Sequence, residues 1–310
     1  MISRFHFSHQ RGKSSLRIIA GCLAAVLMLL PGACRKDAPG QDGKPQLAVS
    51  YDAHKYILEQ IAGEDYDINV LLPAGSDPEM YDPDMRTMEG LSKAGVYFTT
   101  GTLGFEERML DILKANYPDL KIENVAEGVE LIEGTHHHAG DSHNHSGDPH
   151  ILSSISNIRE VASNMLQGMK RLNPEDSVRF NKNFEIFSSR LDKIAEETDS
   201  LMNGRAGGSF VAMHPAMSYF ARDYGVTQIS LERDGKEASP RQLKERLEDA
   251  AEMNPAVLFY EKGHGEKGAK EMARNLGIPV YALNLEAYDF LENLRGAVKA
   301  YSEGAERNNR

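Results

Sequence analysis

Short apolar runs alternate along most of this chain with stretches whose apolar residues recur every three or four positions. Leu47-Ala48-Val49-Ser50 reads as a strand, and Ala53 to Ala62 as a helix ended by Gly63. Ile68 to Leu72 is a second strand, running into the turn-rich Pro73-Ala74-Gly75-Ser76-Asp77-Pro78. A helix over Asp84 to Lys93, a strand over Val96 to Thr99, a helix over Phe105 to Asn116 and a strand over Lys121 to Val125 follow. Strands alternating with helices of this length predict a parallel sheet with both faces covered.

The alternation stops at Glu133 to Ser153, where a biased tract intervenes. Ile151, Ile155, Ile158, Val161, Met165 and Met169 then mark one face of a helix. Asn173-Pro174-Glu175-Asp176 is a strong helix start: a capping Asn, Pro at the first position and acids in the first turn. From there Phe180, Phe184, Phe187, Leu191, Ile194 and Leu201 repeat at helical spacing, unbroken to Asn203-Gly204. At ~1.5 Å per residue such a helix spans roughly 40 Å, longer than internal packing of one domain requires. Strand and helix then alternate again: Ser209 to Met213, Ala216 to Asp223, Gln228 to Leu231, Ser239-Pro240 to Met253, Ala256 to Tyr260, Lys267 to Leu276, Val280 to Leu283 and Ala287 to Tyr301. The expected fold class is α/β, two lobes with parallel sheets joined by one long rigid helix. The expected boundaries are 46–173 for the N-terminal lobe, with a His-rich loop at 134–149, 174–204 for the linking helix and 205–310 for the C-terminal lobe.

The start of the chain stands apart from this pattern. Arg4, Arg11, Lys13 and Arg17 precede the apolar run Ile18 to Leu30, as in a secretory signal. Leu30-Pro31-Gly32-Ala33-Cys34 resembles a bacterial lipobox, with Pro31 where Leu is usual. Residues 1–33 are therefore expected to be a lipoprotein signal peptide, Cys34 to carry lipid, and 34–45 to be a flexible tether. Cys22 and Cys34 are the only cysteines, so no disulfide and no thiolate ligand is expected in the exported domain. The net charge of −11 disfavours nucleic acid and suits a cationic ligand.

Candidate chemistry concentrates in two places. His136, His137, His138, His143 and His145 sit among Gly, Asp, Ser and Asn in a tract that cannot build a core and can loosely gather a borderline metal. In open parallel sheets, moreover, ligands lie beyond the carboxyl ends of the strands. That rule selects Glu79, His150, His214, Glu261 with His264, and Asn284 with Glu286. Imidazole and carboxylate together suit zinc and neighbouring first-row metals. The bland alternatives are a solvated loop carboxylate for Glu79, capping or packed imidazoles for the histidines, and a rim position for His264. His54 falls inside the first helix and reads as structural.

Three segments carry a specific resemblance. Gly75-Ser76-Asp77-Pro78-Glu79-Met80-Tyr81-Asp82-Pro83, Asp148-Pro149-His150, and Phe210-Val211-Ala212-Met213-His214-Pro215-Ala216-Met217-Ser218-Tyr219-Phe220 resemble the ligand-bearing motifs of the zinc/manganese substrate-binding proteins of bacterial ABC importers. Asn183, Tyr224-Gly225-Val226 and the Ser239-Pro240 helix start are similar as well, and the resemblance covers essentially everything after Pro45. It implies two α/β lobes bridged by a long helix, with an ion in the cleft. The implied ligands are His150 and His214, with Glu79 where the family usually has histidine. Glu261, Glu286 or Asn284 would complete or surround the shell. The implied cargo is Zn2+, with Mn2+ or Fe2+ as alternatives. The implied partners are a permease and its ATPase, met by a monomer anchored through Cys34 and facing the periplasm or the cell exterior. An exported zinc hydrolase, with Glu261 as base, and a zinc-buffering lipoprotein are the competing readings. Neither an HExxH pair nor a nucleophile elbow supports the hydrolase.

Overall fold

The structure, a computed structural model, describes residues 43–76, 78, 81–133, 147–232 and 239–308. The expected signal segment, Cys34, most of the tether, Glu79 and the histidines 136, 137, 138, 143 and 145 lie outside the described residues.

The first four strands are β1 (Gln46–Val49), β2 (Asp67–Val70), β3 (Val96–Thr99) and β4 (Lys121–Asn124). They form one parallel sheet in the order β2-β1-β3-β4. Helices α1 (Asp52–Ala62), α2 (Met85–Ser92) and α3 (Gly104–Asn116) connect them. The order explains the sequence. Leu47 to Val49 and all of β3 are buried because they are central and covered on both faces. The edge strands carry Asp67, Asn69, Lys121 and Glu123, which a covered strand could not tolerate.

The second sheet repeats this plan. Strands β5 (Ser209–Ala212), β6 (Thr227–Ser230), β7 (Leu258–Glu261) and β8 (Val280–Leu283) are parallel in the order β6-β5-β7-β8. With them come α6 (Ser218–Tyr224), α7 (Pro240–Glu252), α8 (Glu266–Leu276) and α9 (Phe290–Asn308). Two sheets with one strand order share no evident sequence repeat, because the constraint is on apolar pattern rather than on residue identity.

Helices α4 (Ile155–Leu172) and α5 (Ser177–Met202) lie between the sheets in sequence. Helix α5 has 26 residues, which at 1.5 Å each makes a rod of about 39 Å. It packs against α1 and α4 of the first lobe and against α9 of the second. Arg179 and Asn183 on α5 donate to the carbonyls of Ala62 and Ile61, both at 3.0 Å. They satisfy acceptors that the last turn of α1 leaves open. Gly168 allows α4 to lie close on the sheet, since a Cβ there would meet the Phe98 ring at 2.5 Å.

Two elements differ from the hydrophobic pattern. The helix expected from Ile151 begins as a 3-10 turn, Ile151–Ser153. Ser154 then caps a new helix through its side chain, which accepts from the Asn157 N–H. The last helix starts at Phe290 rather than near Ala287, because Asn284 Oδ1 accepts from the N–H groups of Glu286 and Ala287 and holds a turn there. That loop also joins the lobes, as the Glu286 carbonyl accepts from the Ala53 N–H at the start of α1 at 2.9 Å.

Candidate metal centre

In each sheet the chain leaves its first strand in one direction and its third in the other, so a crevice opens at the carboxyl ends of the central strands. His214 stands in the second of these crevices, two residues beyond the fully buried β5. His150 comes from the first lobe, at the turn before α4. Asp148 builds that turn. Its Oδ1 accepts the His150 backbone N–H at 2.9 Å and lies 2.7 Å from the ring Nδ1. One carboxylate oxygen thus fixes both the backbone and the imidazole.

The two rings meet edge to face, with centroids 4.8 Å apart and planes at 70°. Nε2 of His150 is 3.0 Å from Nε2 of His214. On its far side, His214 places Nδ1 3.3 Å from Oε2 of Glu232. Each ring therefore has a carboxylate behind it and the other ring in front. A carboxylate at Nδ1 holds the proton there and leaves the Nε2 lone pair facing forward. Two such lone pairs repel at this distance unless a proton or a cation lies between them. Both side chains are largely buried, at 13% and 18% exposed.

Burial raises the Asp148 carboxyl, but its interactions with the His150 ring and backbone N–H outweigh burial and hold it below the ordinary value. The backbone carbonyl of Asp148 accepts from the Tyr219 hydroxyl at 2.5 Å, across the lobes. Burial, then the charge of Asp148, pushes the Tyr219 phenol up to about 12, so it remains a donor.

The pair opens into a cleft of about 660 Å³. Asp52, Glu107, Glu232, Glu261 and Glu286 line it, against Lys262. This acidic lining favours cations. Glu261, Asn284, Glu286 and the exposed His264 therefore share the cleft with the histidines. Among the described residues no group of three or more His, Cys, Asp or Glu side chains stands close enough together to hold an ion. The Asn284 side-chain oxygen is engaged by its own turn. Ser76 and Pro78, on either side of the first motif's Asp77 and just before Glu79, also line the cleft.

Sequence reasoning passed over Glu232, although it stands two residues beyond β6, where the carboxyl-end rule applies. Asp148 and Tyr219 were quoted within motifs without a role, because backbone-to-side-chain bonds leave no spacing signature. His54 is buried in α1, as its position suggested, and stacks on Tyr51 at 3.9 Å.

Two lobes braced by one helix, with a histidine from each lobe meeting in an acidic cleft, define a binding protein that encloses a small cation. The chain belongs to the family described as ZnuA, zinc-uptake complex component A, periplasmic, which it matches over residues 48–308. It is similar to a crystal structure of ZnuA, with a TM-score of 0.76, 28% identity, and coverage of 85% of this chain and 100% of that one. The manganese ABC transporter substrate-binding lipoprotein PsaA of Streptococcus mitis is 26% identical over 275 residues, 84% of this chain and 85% of the relative. The iron ABC transporter substrate-binding lipoprotein MtsA of Streptococcus pyogenes is 22% identical over 281 residues, 86% and 88% of the two chains. The chain is accordingly a metal-binding substrate-binding protein of an ABC importer and not an enzyme, which removes the hydrolase reading.

Proposed function

We propose that the protein captures one divalent transition-metal ion, zinc, between its lobes and delivers it to the permease of its importer. His150 and His214 are the ligands from the two lobes, and Glu79 supplies a carboxylate from the loop whose neighbour Pro78 lines the cleft. The observation that carries this reading is the pair of Nε2 atoms 3.0 Å apart, each imidazole backed by a carboxylate. Zn–N bonds of about 2.05 Å at a tetrahedral angle separate two nitrogens by roughly 3.3 Å, so the rings need to part by only a few tenths of an ångström. Two imidazoles also favour zinc over manganese in the general order of affinities, while a carboxylate from Glu79 softens that preference. Glu261 and Glu286 shape the field of the cleft, and waters fill the remaining coordination.

The five histidines 136, 137, 138, 143 and 145 gather metal for the protein, and Cys34 anchors the protein to a bacterial membrane outside the cytoplasm. Among the described residues no helix is long and apolar enough to cross a membrane.

Competitive titration of the mature protein tests this reading. With residues 135–146 deleted, one zinc ion per chain should remain tightly bound, and His150→Ala or His214→Ala should each weaken that binding severely. Tight binding that vanishes with the deletion and survives both histidine substitutions would overturn the assignment.

A further inference from the structure

The first lobe's histidine is held in place by the second lobe. Tyr219 lies on α6, five residues beyond His214, and is fully buried. Its hydroxyl donates to the Asp148 carbonyl at 2.5 Å and accepts from the Ile132 N–H at 3.4 Å. The Asp148 N–H in turn donates to the Ile132 carbonyl at 2.8 Å. One phenol therefore closes a ring of three hydrogen bonds around the two chain segments that lead into and out of residues 133–147. These segments lie very close together, since a Cβ on Gly147 would meet the Leu131 Cβ at 2.5 Å. Asp148, at the centre of the ring, carries the carboxylate that orients His150.

We propose that Tyr219 is a positioning residue for metal binding, which sets His150 in register with His214 by holding Asp148 from the opposite lobe. This rests on the ligand assignment given above and extends it to a residue that touches no metal. His214 and Tyr219 leave the same strand, β5, within a few residues of each other. The tyrosine therefore reports the second lobe's position to the first lobe's ligand. Without the hydroxyl, the Asp148 carbonyl loses its partner and the Asp148–His150 turn moves independently of His214. The ion then leaves more readily, while its path into the cleft is unchanged.

Helix α6 supplies its own control. The Tyr224 hydroxyl donates to Asp199 on α5 at 2.8 Å, a bond that involves neither Asp148 nor either histidine. Tyr219→Phe and Tyr224→Phe each remove one hydroxyl from the same helix, so a purely structural role predicts similar effects of both.

The test measures zinc affinity and dissociation for the wild-type protein and both variants, together with the visible spectrum of each Co2+-loaded form. A net hydrogen bond is worth about 1 kcal/mol, or roughly a five-fold change in equilibrium. Tyr219→Phe should raise Kd about five-fold, mainly through faster dissociation, and shift the cobalt bands. Tyr224→Phe should leave both within two-fold of wild type. An unchanged Tyr219→Phe, or an equal weakening by Tyr224→Phe, overturns this inference while leaving the ligand assignment standing. Absence of tight metal binding in the wild type overturns both.

Discussion

His54 provides a test of the fold that is independent of metal. The ring is fully buried in α1, stacked on Tyr51, and among the described residues neither nitrogen has a hydrogen-bond partner. Burial lowers its pKa from 6.5 to about 3. The folded protein therefore keeps the ring neutral at a pH where the unfolded chain protonates it. Between about pH 6.5 and 3 the unfolded state binds more protons, so stability rises with pH across that window and falls on acidification. At pH 7.5 the effect is nearly nil. At pH 5 the two pKa values correspond to a loss of about 2 kcal/mol. His54→Leu keeps a comparable volume and a good helix former, and it removes both unpaired nitrogens. Urea unfolding of metal-free protein in chelator, at pH 7.5 and pH 5, gives the two stabilities for each form. Wild type should lose about 2 kcal/mol more than His54→Leu between the two conditions, and the variant should be at least as stable at pH 7.5. Parallel pH dependence of the two proteins would refute a buried neutral imidazole at this position.

Other outcomes follow from the same geometry. Asp148→Ala should weaken zinc binding by roughly 10–100-fold, the usual cost of losing a ligand's hydrogen-bond partner, read by competitive titration. Glu232→Gln should cost less, because its contact to His214 is longer at 3.3 Å. Zinc affinity should fall as pH drops, since each imidazole must shed its proton to bind, and calorimetry in buffers of different ionisation heat should detect the protons released. Glu106 is a fully buried carboxylate that accepts from Ser50, from the Thr100 N–H at 3.2 Å and hydroxyl at 2.7 Å, and from the Leu103 N–H at 3.3 Å. Glu106→Ala strands those donors and should cost about 3 kcal/mol in urea unfolding, with the Ser50 end of β1 and the Thr100–Leu103 loop losing hydrogen-exchange protection first.

The two sheets were legible because central strands such as Leu47-Ala48-Val49 and Phe210-Val211-Ala212 must be apolar on both faces, whereas the helices between them repeat at 3.6. The long helix was legible from its start at Asn173-Pro174 and its stripe from Phe180 onward. Both histidines could be placed by the carboxyl-end rule, since the position of a ligand in a parallel sheet follows from topology. Their partners were harder. Glu232 reaches His214 from beyond the neighbouring strand β6, Asp148 acts through one oxygen on a backbone and a ring, and Tyr219 binds a carbonyl 71 residues away. The last of these depends on how the lobes are juxtaposed, and no hydrophobic period encodes any of the three. The break at Ser154 was hidden for a related reason: a capping hydroxyl outweighed an apolar pattern that runs through it.

The central claim is that imidazoles from both lobes share one ion. Zinc K-edge X-ray absorption of the one-to-one complex, with residues 135–146 deleted, measures the ligands directly. The account predicts two imidazole nitrogens at about 2.0–2.1 Å with oxygen completing the shell, and a drop to one imidazole in either His150→Ala or His214→Ala. A shell with no imidazole, or one unaltered by both substitutions, would contradict it.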